Sequence, residues 1–240
     1  MISRAFPLIV FLTCITYSST ALAADDCIKP EKHETVSYLL VDRSDRLENK
    51  DGFDKSLTAL ESMLQPGERL IVGLSTGKGS DTTVLMDLVK PKGSMWVSML
   101  KTRADTKKFT SCFDSVKSKL AETDEEHDKS ALLETLGFVS KVLKNDSASK
   151  KRLFLYSDMM QNSPSVSFYS MKPFDPETAM KKVEKEYLLS KFPEVSVLVA
   201  GTGATVTDAQ ARRLEAFWTN FFEKTGGSLD FYGPVLLSSN

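Results

Sequence analysis

Two oxygen-bearing side chains, Asp42 and Ser44, follow directly on a short apolar run, residues 38–41. The run is too short for a helix and is rich in residues that suit a buried strand. In an open α/β sheet, ligands bind beyond the carboxyl ends of the strands. A carboxylate and a hydroxyl two residues apart at such an end can face one small cation, and hard oxygens suit Mg²⁺, Mn²⁺ or Ca²⁺. The same two residues also suit an ordinary turn, which needs no ligand.

A second strand-like run, residues 153–156, leads to another aspartate, Asp158, and Ser130 opens the helix that precedes this run. If the strands before Asp42 and Asp158 are neighbours in the sheet, their ends meet at the topological switch point. Oxygen atoms alone would then surround one pocket. The residues of this predicted metal site are Asp42, Ser44, Ser130 and Asp158, and its expected ion is Mg²⁺, with Mn²⁺ or Ca²⁺ as alternatives.

The elements that must position these residues alternate between strand-like and helix-like segments. This alternation predicts an α/β fold of three layers, with a doubly wound, mostly parallel, Rossmann-like sheet and helices on both faces. The predicted strands are 38–41, 69–74, 95–100, 153–156, 195–200 and 229–232, and the predicted helices before the last are 54–64, 109–120, 131–143 and 176–189. Ser130 is placed to cap the helix that begins at residue 131.

The last helix has the clearest signals. It begins at a capping box, residues 207–210, carries an apolar stripe of Leu214, Phe217, Trp218 and Phe221, and ends before Gly226. Apolar residues at this helical spacing are typical of a face buried against a sheet. By contrast, the polar stretch 100–108 and the loop 159–174 are expected to be mobile, and the loop is expected to lie beside the metal site.

The first 23 residues have the three parts of a secretory signal peptide. Arg4 supplies the positive region, residues 8–15 are apolar, and residues 21–23 form an A-x-A cleavage site. Residues 24–240 are then expected to form a single domain, exported to the periplasm or secreted, because no later apolar run approaches the ~18 residues of a membrane helix. The formal net charge of −1 is nearly balanced, which argues against a nucleic-acid partner.

Removal of the signal peptide leaves two cysteines, Cys27 and Cys112. An even number of cysteines in an exported chain favours a disulfide. This bridge would tie the start of the mature chain to a distant helix. The alternative is a pair of buried or unpaired thiols, because sequence alone does not give the geometry that a disulfide needs.

The predicted metal ligands and the alternating strands and helices together make the chain resemble a von Willebrand factor A-type (vWA) domain over residues 35–233. That family carries a metal-ion-dependent adhesion site, built from Asp-x-Ser-x-Ser after the first strand, a Thr in a later loop and an Asp after the fourth strand. Asp42 and Ser44 match the first two ligands. Ser130 is the best match to the loop Thr, with Thr123 as a second candidate, and Asp158 matches the fourth-strand Asp.

The departure from the family motif is Arg46, which stands where the third ligand should be. Arginine has no acceptor atom for a cation and brings a positive charge, so the site resembles a partly degenerate one. The resemblance implies a non-enzymatic module that binds the carboxylate of a partner protein through the cation. It also leaves open a structural component of an envelope complex whose metal site does not function.

One motif points instead to a serine hydrolase. Residues 73–77 fit the nucleophile elbow G-x-S-x-G, with Ser75 as the nucleophile. A helix should follow at once, however, and residues 78–81 read as a loop. The histidines are also poorly placed for a catalytic triad, because His33 precedes Ser75 and His127 lies in an acidic stretch at mid-chain. The sequence therefore favours a protein that is not an enzyme.

Overall fold

The computed structural model describes residues 27–28, 32–42, 50–75, 82–93, 98–122, 130–203 and 206–237. The predicted signal peptide, residues 1–23, lies outside these ranges. Strands and helices follow one another along the chain, and most of them fall where the apolar patterns place them. The elements in order are β1 (Thr35–Val41), α1 (Lys50–Met63), β2 (Arg69–Ser75), β3 (Thr82–Val89), α2 (Met99–Glu122), α3 (Leu132–Asn145), β4 (Lys150–Tyr156), α4 (Pro176–Lys185), β5 (Val195–Ala200), α5 (Asp208–Thr225) and β6 (Ser228–Tyr232).

The six strands form one sheet in the order β3-β2-β1-β4-β5-β6. All neighbouring pairs are parallel except β2 and β3, which are antiparallel. From β1 the chain builds outward to β2 and β3, and it then returns to the other side of β1 to add β4, β5 and β6. The switch point therefore lies between β1 and β4, and the predicted mostly parallel α/β fold is confirmed.

The two faces of the sheet bury separate apolar clusters, and β1 contributes to both because successive side chains of a strand point to opposite faces. Tyr38 and Leu40 face the cluster that also contains residues of α3, α4 and α5. Leu39 and Val41 face the cluster that contains residues of α1 and α2. The helices thus cover both faces, as the predicted three-layer arrangement requires.

The predicted third strand, 95–100, is wrong. Met99 and Leu100 are the first residues of α2, and residues 94–97 lie outside the described ranges. The third strand is instead the antiparallel edge strand β3. The stretch 100–108, which was expected to be mobile, is the first part of the same long helix, α2. A short apolar run does not distinguish strand from helix by its pattern alone.

The loop between β4 and α4, residues 159–174, was expected to be mobile, but several of its side chains are buried in the core. Met159, Val166 and Phe168 are almost fully buried. The buried amide of Gln161 accepts a hydrogen bond from the backbone N–H of Leu133 at 2.8 Å and donates to Glu134 at 3.0 Å. These contacts fasten the loop to the beginning of α3, since a buried amide is stable only when its polar atoms are paired.

The helix caps largely follow the sequence signals. Thr207 caps α5 by accepting from the backbone N–H of Gln210, and Gly226 ends it with φ +91°. Asp175 caps α4 ahead of Pro176, but that helix ends at Lys185 rather than at the predicted residue 189. None of the described helices has the length and apolar character needed to cross a membrane.

Cys27 and Cys112 form a disulfide, with their Cα atoms 5.7 Å apart, so this prediction is confirmed. Cys112 lies in α2, and both cysteines belong to the apolar cluster on the side of α1 and α2. The bridge closes a sequence separation of 85 residues. It therefore joins the segment before β1 to a helix that follows β3.

Candidate functional site

The carboxyl ends of β1 and β4 lie side by side. Val41 pairs with Tyr156 in the parallel register, and the backbone N–H of Asp42 continues the ladder by donating to the carbonyl of Tyr156 at 2.9 Å. On the other side, the N–H of Ser157 donates to the carbonyl of Ala200 at 3.0 Å. Asp42 and Ser157 therefore leave the sheet at the same edge, at its topological switch point.

Two hydroxyl groups converge on the Asp42 carboxylate. Ser130 donates to Oδ2 of Asp42 at 2.6 Å, and Ser157 donates to the same oxygen at 3.1 Å. All three side chains are buried; Asp42 is 8% exposed, Ser130 3% and Ser157 4%. Hydrogen bonds of this kind stabilise the ionised carboxylate and fix its orientation in a site largely removed from water.

Ser130 does not act as the helix cap that the sequence predicted. The N-cap residue of α3 is Ala131, whose side chain has no polar atom for a cap hydrogen bond, and the Ser130 hydroxyl is turned toward Asp42 instead. The backbone carbonyl of Ser130 accepts from the N–H of Asn162 at 2.6 Å. Ser130 is therefore held between the end of β1 and the loop that follows β4.

Asp158 comes directly after Ser157, at the same edge of the sheet. Its Oδ1 accepts a hydrogen bond from the backbone N–H of Met160 at 2.9 Å. Burial, together with the charges of Glu215 and Asp158, raises the pKa of Tyr232 above its ordinary value. The charge of Asp158 thus acts on Tyr232 in β6, whereas the hydroxyl of Ser157 points toward Asp42 at the end of β1.

Of the four predicted ligands, the structure brings Asp42 and Ser130 into direct contact and places Asp158 at the same edge. Ser44, together with Arg46 and Thr123, lies outside the described residues. Ser157 was not among the predicted ligands. Its signal was visible in the sequence, since a hydroxyl residue stands between the fourth strand and the aspartate, but only the neighbouring strand shows that it reaches Asp42.

The chemistry of these side chains fits a hard divalent cation rather than zinc. Within the described ranges, no three His, Cys, Asp or Glu side chains gather as a metal site. A cation at this edge would therefore depend on a carboxylate, serine hydroxyls and water. Oxygen ligands of this kind suit Mg²⁺, which commonly retains several water molecules.

Ser75, the residue of the hydrolase alternative, is the last residue of β2 and is 2% exposed. Its hydroxyl lies 3.4 Å from that of Thr135 in α3. Residues 76–81 and His127 lie outside the described ranges. His33 precedes β1, at the opposite edge of the sheet, and its Nε2 lies 2.9 Å from the carboxylate of Asp146.

Comparison with known proteins gives structural similarities only. No family model matches the chain. No curated protein matches it either. Among solved structures, the chain is similar to the ArnB paralog VWA2 from Sulfolobus acidocaldarius, with 14% identity and a TM-score of 0.44 over 84% of this chain and 41% of that one.

Two further solved structures give similar values. An aerotolerance-related membrane protein from Bacteroides fragilis shows 10% identity and a TM-score of 0.44, over 85% of this chain and 92% of that chain. A von Willebrand factor type A protein from Catenulispora acidiphila shows 11% identity and a TM-score of 0.43, over 83% of this chain and 39% of that chain. The chain thus spans about two fifths of the length of the Sulfolobus and Catenulispora proteins.

Proposed function

We propose that this chain is a non-enzymatic protein-binding module of the vWA type, used in adhesion or assembly. In this proposal, a divalent cation at the carboxyl edge of the sheet, with Mg²⁺ as the first choice, takes an acidic side chain from a partner protein. Asp42, Ser44, Ser130 and Asp158 hold the ion as ligands or through water. Ser157 is added to this set as a residue that orients Asp42.

The observation that carries the proposal is the convergence of Ser130 and Ser157 on Oδ2 of Asp42. Three chain segments far apart in sequence place hydroxyl and carboxylate oxygens at the sheet's switch point, where ligands of open α/β folds bind. A bound cation would supply positive charge there, and an open coordination position would let it bridge two carboxylates that otherwise repel each other. The first of these carboxylates would be that of Asp42, which Ser130 and Ser157 hold in place.

Export of the protein is part of the proposal. Residues 1–23 carry the pattern of a signal peptide. The disulfide between Cys27 and Cys112 supports the same conclusion, because disulfides persist in the periplasm and outside the cell but are rare in the cytosol. A binding module in such a compartment would meet its partner protein at the cell envelope or beyond.

A second candidate is a structural component of an envelope complex whose metal site no longer functions. Two observations favour it. Arg46 replaces the third hydroxyl ligand of the family motif, and Ser130 already satisfies one Asp42 oxygen through its own hydrogen bond. A site that is internally paired in this way can support the fold without any ion.

Calorimetric titration with MgCl₂ and MnCl₂ separates the two candidates. The wild-type protein is expected to bind one ion, and Asp42→Asn, which keeps the side-chain shape but removes the charge, is expected to abolish binding. Asp51→Asn is the matched control, because Asp51 is an exposed carboxylate in α1 that pairs with Lys55. Absence of binding by the wild type would favour the structural component. Equal loss in both variants would show that the ion binds elsewhere.

A further inference from the structure

A cavity of about 1130 Å³ opens at the amino-terminal edge of the sheet, far from the candidate cation site. Thr35, the first residue of β1, lines this cavity, whereas Asp42 directly follows the last residue of the same strand. A strand rises about 3.3 Å per residue, so roughly 23 Å separates the two places. The cavity is therefore independent of Asp42 and its hydroxyl partners.

The cavity is rich in lysine. Five lysines line it, and they come from four separate segments: the chain before β1, the chain after β3, helix α2 and the start of β4. The residues are Lys32, Lys92, Lys101, Lys108 and Lys150. Within the described part of the chain, none of them forms an ion pair with a carboxylate, unlike Lys55, Lys117 and Lys224 elsewhere on the surface.

The acidic residues of the cavity do not balance these charges. Glu34, Glu68 and Asp105 also line it. Glu68, however, is fully buried and accepts hydrogen bonds from Arg152 and Ser37 as well as from the backbone N–H of Gln65. Its charge is thus already compensated, and five lysines face two carboxylates. The whole chain carries a formal net charge of only −1, so the positive charge is concentrated locally.

His33, which lines the cavity, is held by a network of side chains that are not themselves part of the lining. The His33 side chain, 7% exposed, meets Asp146 at 2.9 Å, and Asp146 in turn accepts from Arg69 at 2.6 Å. Arg69 also donates two hydrogen bonds to Asp87, at 2.7 and 2.6 Å. Because these groups satisfy one another, the position of His33 is fixed before any ligand arrives, and Asp146 and Asp87 are paired with Arg69 rather than with the lysines of the cavity.

We propose that this cavity binds a compact anion carrying several phosphate or carboxylate groups. A lysine ammonium group is a point charge that suits phosphate and carboxylate oxygens, and a cleft lined by one sign of charge concentrates ions of the opposite sign. The volume of about 1130 Å³ is slightly above the range that is usual for small-molecule sites, about 300–1,000 Å³. Lysines that surround one hollow fit a compact ligand better than an extended acidic chain, which would need a stripe of charge.

Calorimetry with inorganic tripolyphosphate and with citrate tests this proposal and distinguishes phosphate from carboxylate ligands. The titrations use the disulfide-bonded protein at low ionic strength without divalent cations, so that failure of the cation proposal does not affect the result. Binding of at least one anion is expected, and it should weaken as salt is added. The double variant Lys92→Gln, Lys150→Gln should bind on the order of tenfold more weakly, with a wild-type melting temperature.

The control is the double variant Lys141→Gln, Lys185→Gln, which removes two charges from exposed lysines of α3 and α4 outside the cavity. Its affinity for the anion should stay within about twofold of the wild-type affinity, which is a difference in binding free energy of less than RT. The proposal is overturned if neither anion binds at millimolar concentration, or if both double variants weaken binding equally. Tighter binding of a glutamate-rich peptide than of either small anion would also overturn it, in favour of a peptide groove.

Discussion

The hydroxyl of Ser130 donates a 2.6 Å hydrogen bond to the Asp42 carboxylate across 88 residues of sequence. The backbone carbonyl of Ser130 accepts from Asn162, at 2.6 Å, in the loop after β4. One residue thus joins the end of β1 to the segment that follows β4. The orientation of the buried Asp42 carboxylate depends on this link, because each hydrogen bond to a buried charge restricts where that charge can point.

Replacement of Ser130 by alanine is expected to weaken both folding and ion binding. The buried Asp42 carboxylate loses a donor, which costs about 1–3 kcal/mol of the free energy of unfolding. If the proposed cation site is functional, Mg²⁺ affinity should fall about 10–100-fold, as for other residues that hold or orient ligands. Urea denaturation measures the first effect and calorimetry the second.

Ser140→Ala is the matched control for this substitution. Ser140 lies in α3, the helix that follows Ser130, and is nearly as buried, but among the described residues its hydroxyl donates to no carboxylate and instead donates to the backbone carbonyl of Gly137 at 3.2 Å. We expect a smaller loss of stability and unchanged ion binding. Equal destabilisation by the two variants would mean that the Ser130–Asp42 hydrogen bond has no particular role.

The sequence predicted those features of the site that depend on neighbouring residues in the chain. Asp42 and Asp158 each follow an apolar strand, and strand ends meet at the edge of a parallel sheet. The role of Ser130 was only half predicted. Its position before a helix suggested a cap, whereas its hydroxyl is used by a carboxylate from another strand. The choice between a local and a distant partner depends on tertiary packing, which no short motif encodes.

The same limit explains the error at the third strand. β3 is an edge strand whose first half is only partly buried, so its apolar pattern is weak there. The first residues of α2, Met99 and Leu100, are apolar but exposed, and the polar turns that follow them carry no helical stripe. The central strand β5 was located to the residue, and the end of β1 was located correctly, although the first three residues of β1 were missed. An apolar sequence pattern is clear only where an element is well buried, and elements at the margins of the sheet are the least buried.

Removal of the disulfide should lower stability substantially. The bridge closes a separation of 85 residues, and the loop-entropy model assigns about 4–5 kcal/mol to a loop of this length. The double variant Cys27→Ala, Cys112→Ala is therefore expected to unfold at much lower urea concentration than wild type. Treatment with dithiothreitol should destabilise the wild type and leave the double variant unchanged. Detection of two free thiols in denatured, unreduced wild-type protein would contradict the bridge.

Asp146 is expected to make the protein sensitive to acid. Burial by itself would raise the pKa of this carboxyl group, but the backbone N–H of Ala148, together with His33 and Arg69, holds the pKa below its usual value. A carboxyl group with a lowered pKa stabilises the fold fully above its unfolded pKa, about 3.9. This contribution is lost as the pH falls below about 4 toward the folded-state pKa. Urea denaturation as a function of pH measures the loss.

Asp146→Asn should cost about 3 kcal/mol at neutral pH, because it removes the carboxylate from a buried network that includes Arg69. The variant should also lose less stability than wild type between neutral pH and pH 3. Asp114→Asn is the control, since Asp114 is 63% exposed and lies 3.8 Å from Lys117. An exposed pair of this kind is worth about 0–1 kcal/mol. Identical pH profiles for wild type and Asp146→Asn would contradict the assigned role.

Gly73, in the middle of β2, is predicted to tolerate no side chain. A Cβ atom there would lie 2.3 Å from the phenolic oxygen of Tyr38 and 2.9 Å from two of its ring carbons. Tyr38 is fully buried in β1, and its hydroxyl donates to Thr82 at 3.3 Å, so the ring has little room to move. Gly73→Ala should therefore destabilise the protein by about 1–3 kcal/mol, the usual cost of overpacking.

A double-mutant cycle identifies the clash as the cause. Tyr38→Phe removes the oxygen that the new methyl group would meet first, so Gly73→Ala should cost less in that background than in wild type. The remaining cost reflects the ring carbons. Gly93→Ala, where no atom of the described residues other than the chain neighbours lies within 4 Å of the added Cβ, should change stability by less than about 0.5 kcal/mol. Strict additivity of the Tyr38 and Gly73 substitutions would mean that backbone preference, and not the ring, requires glycine here.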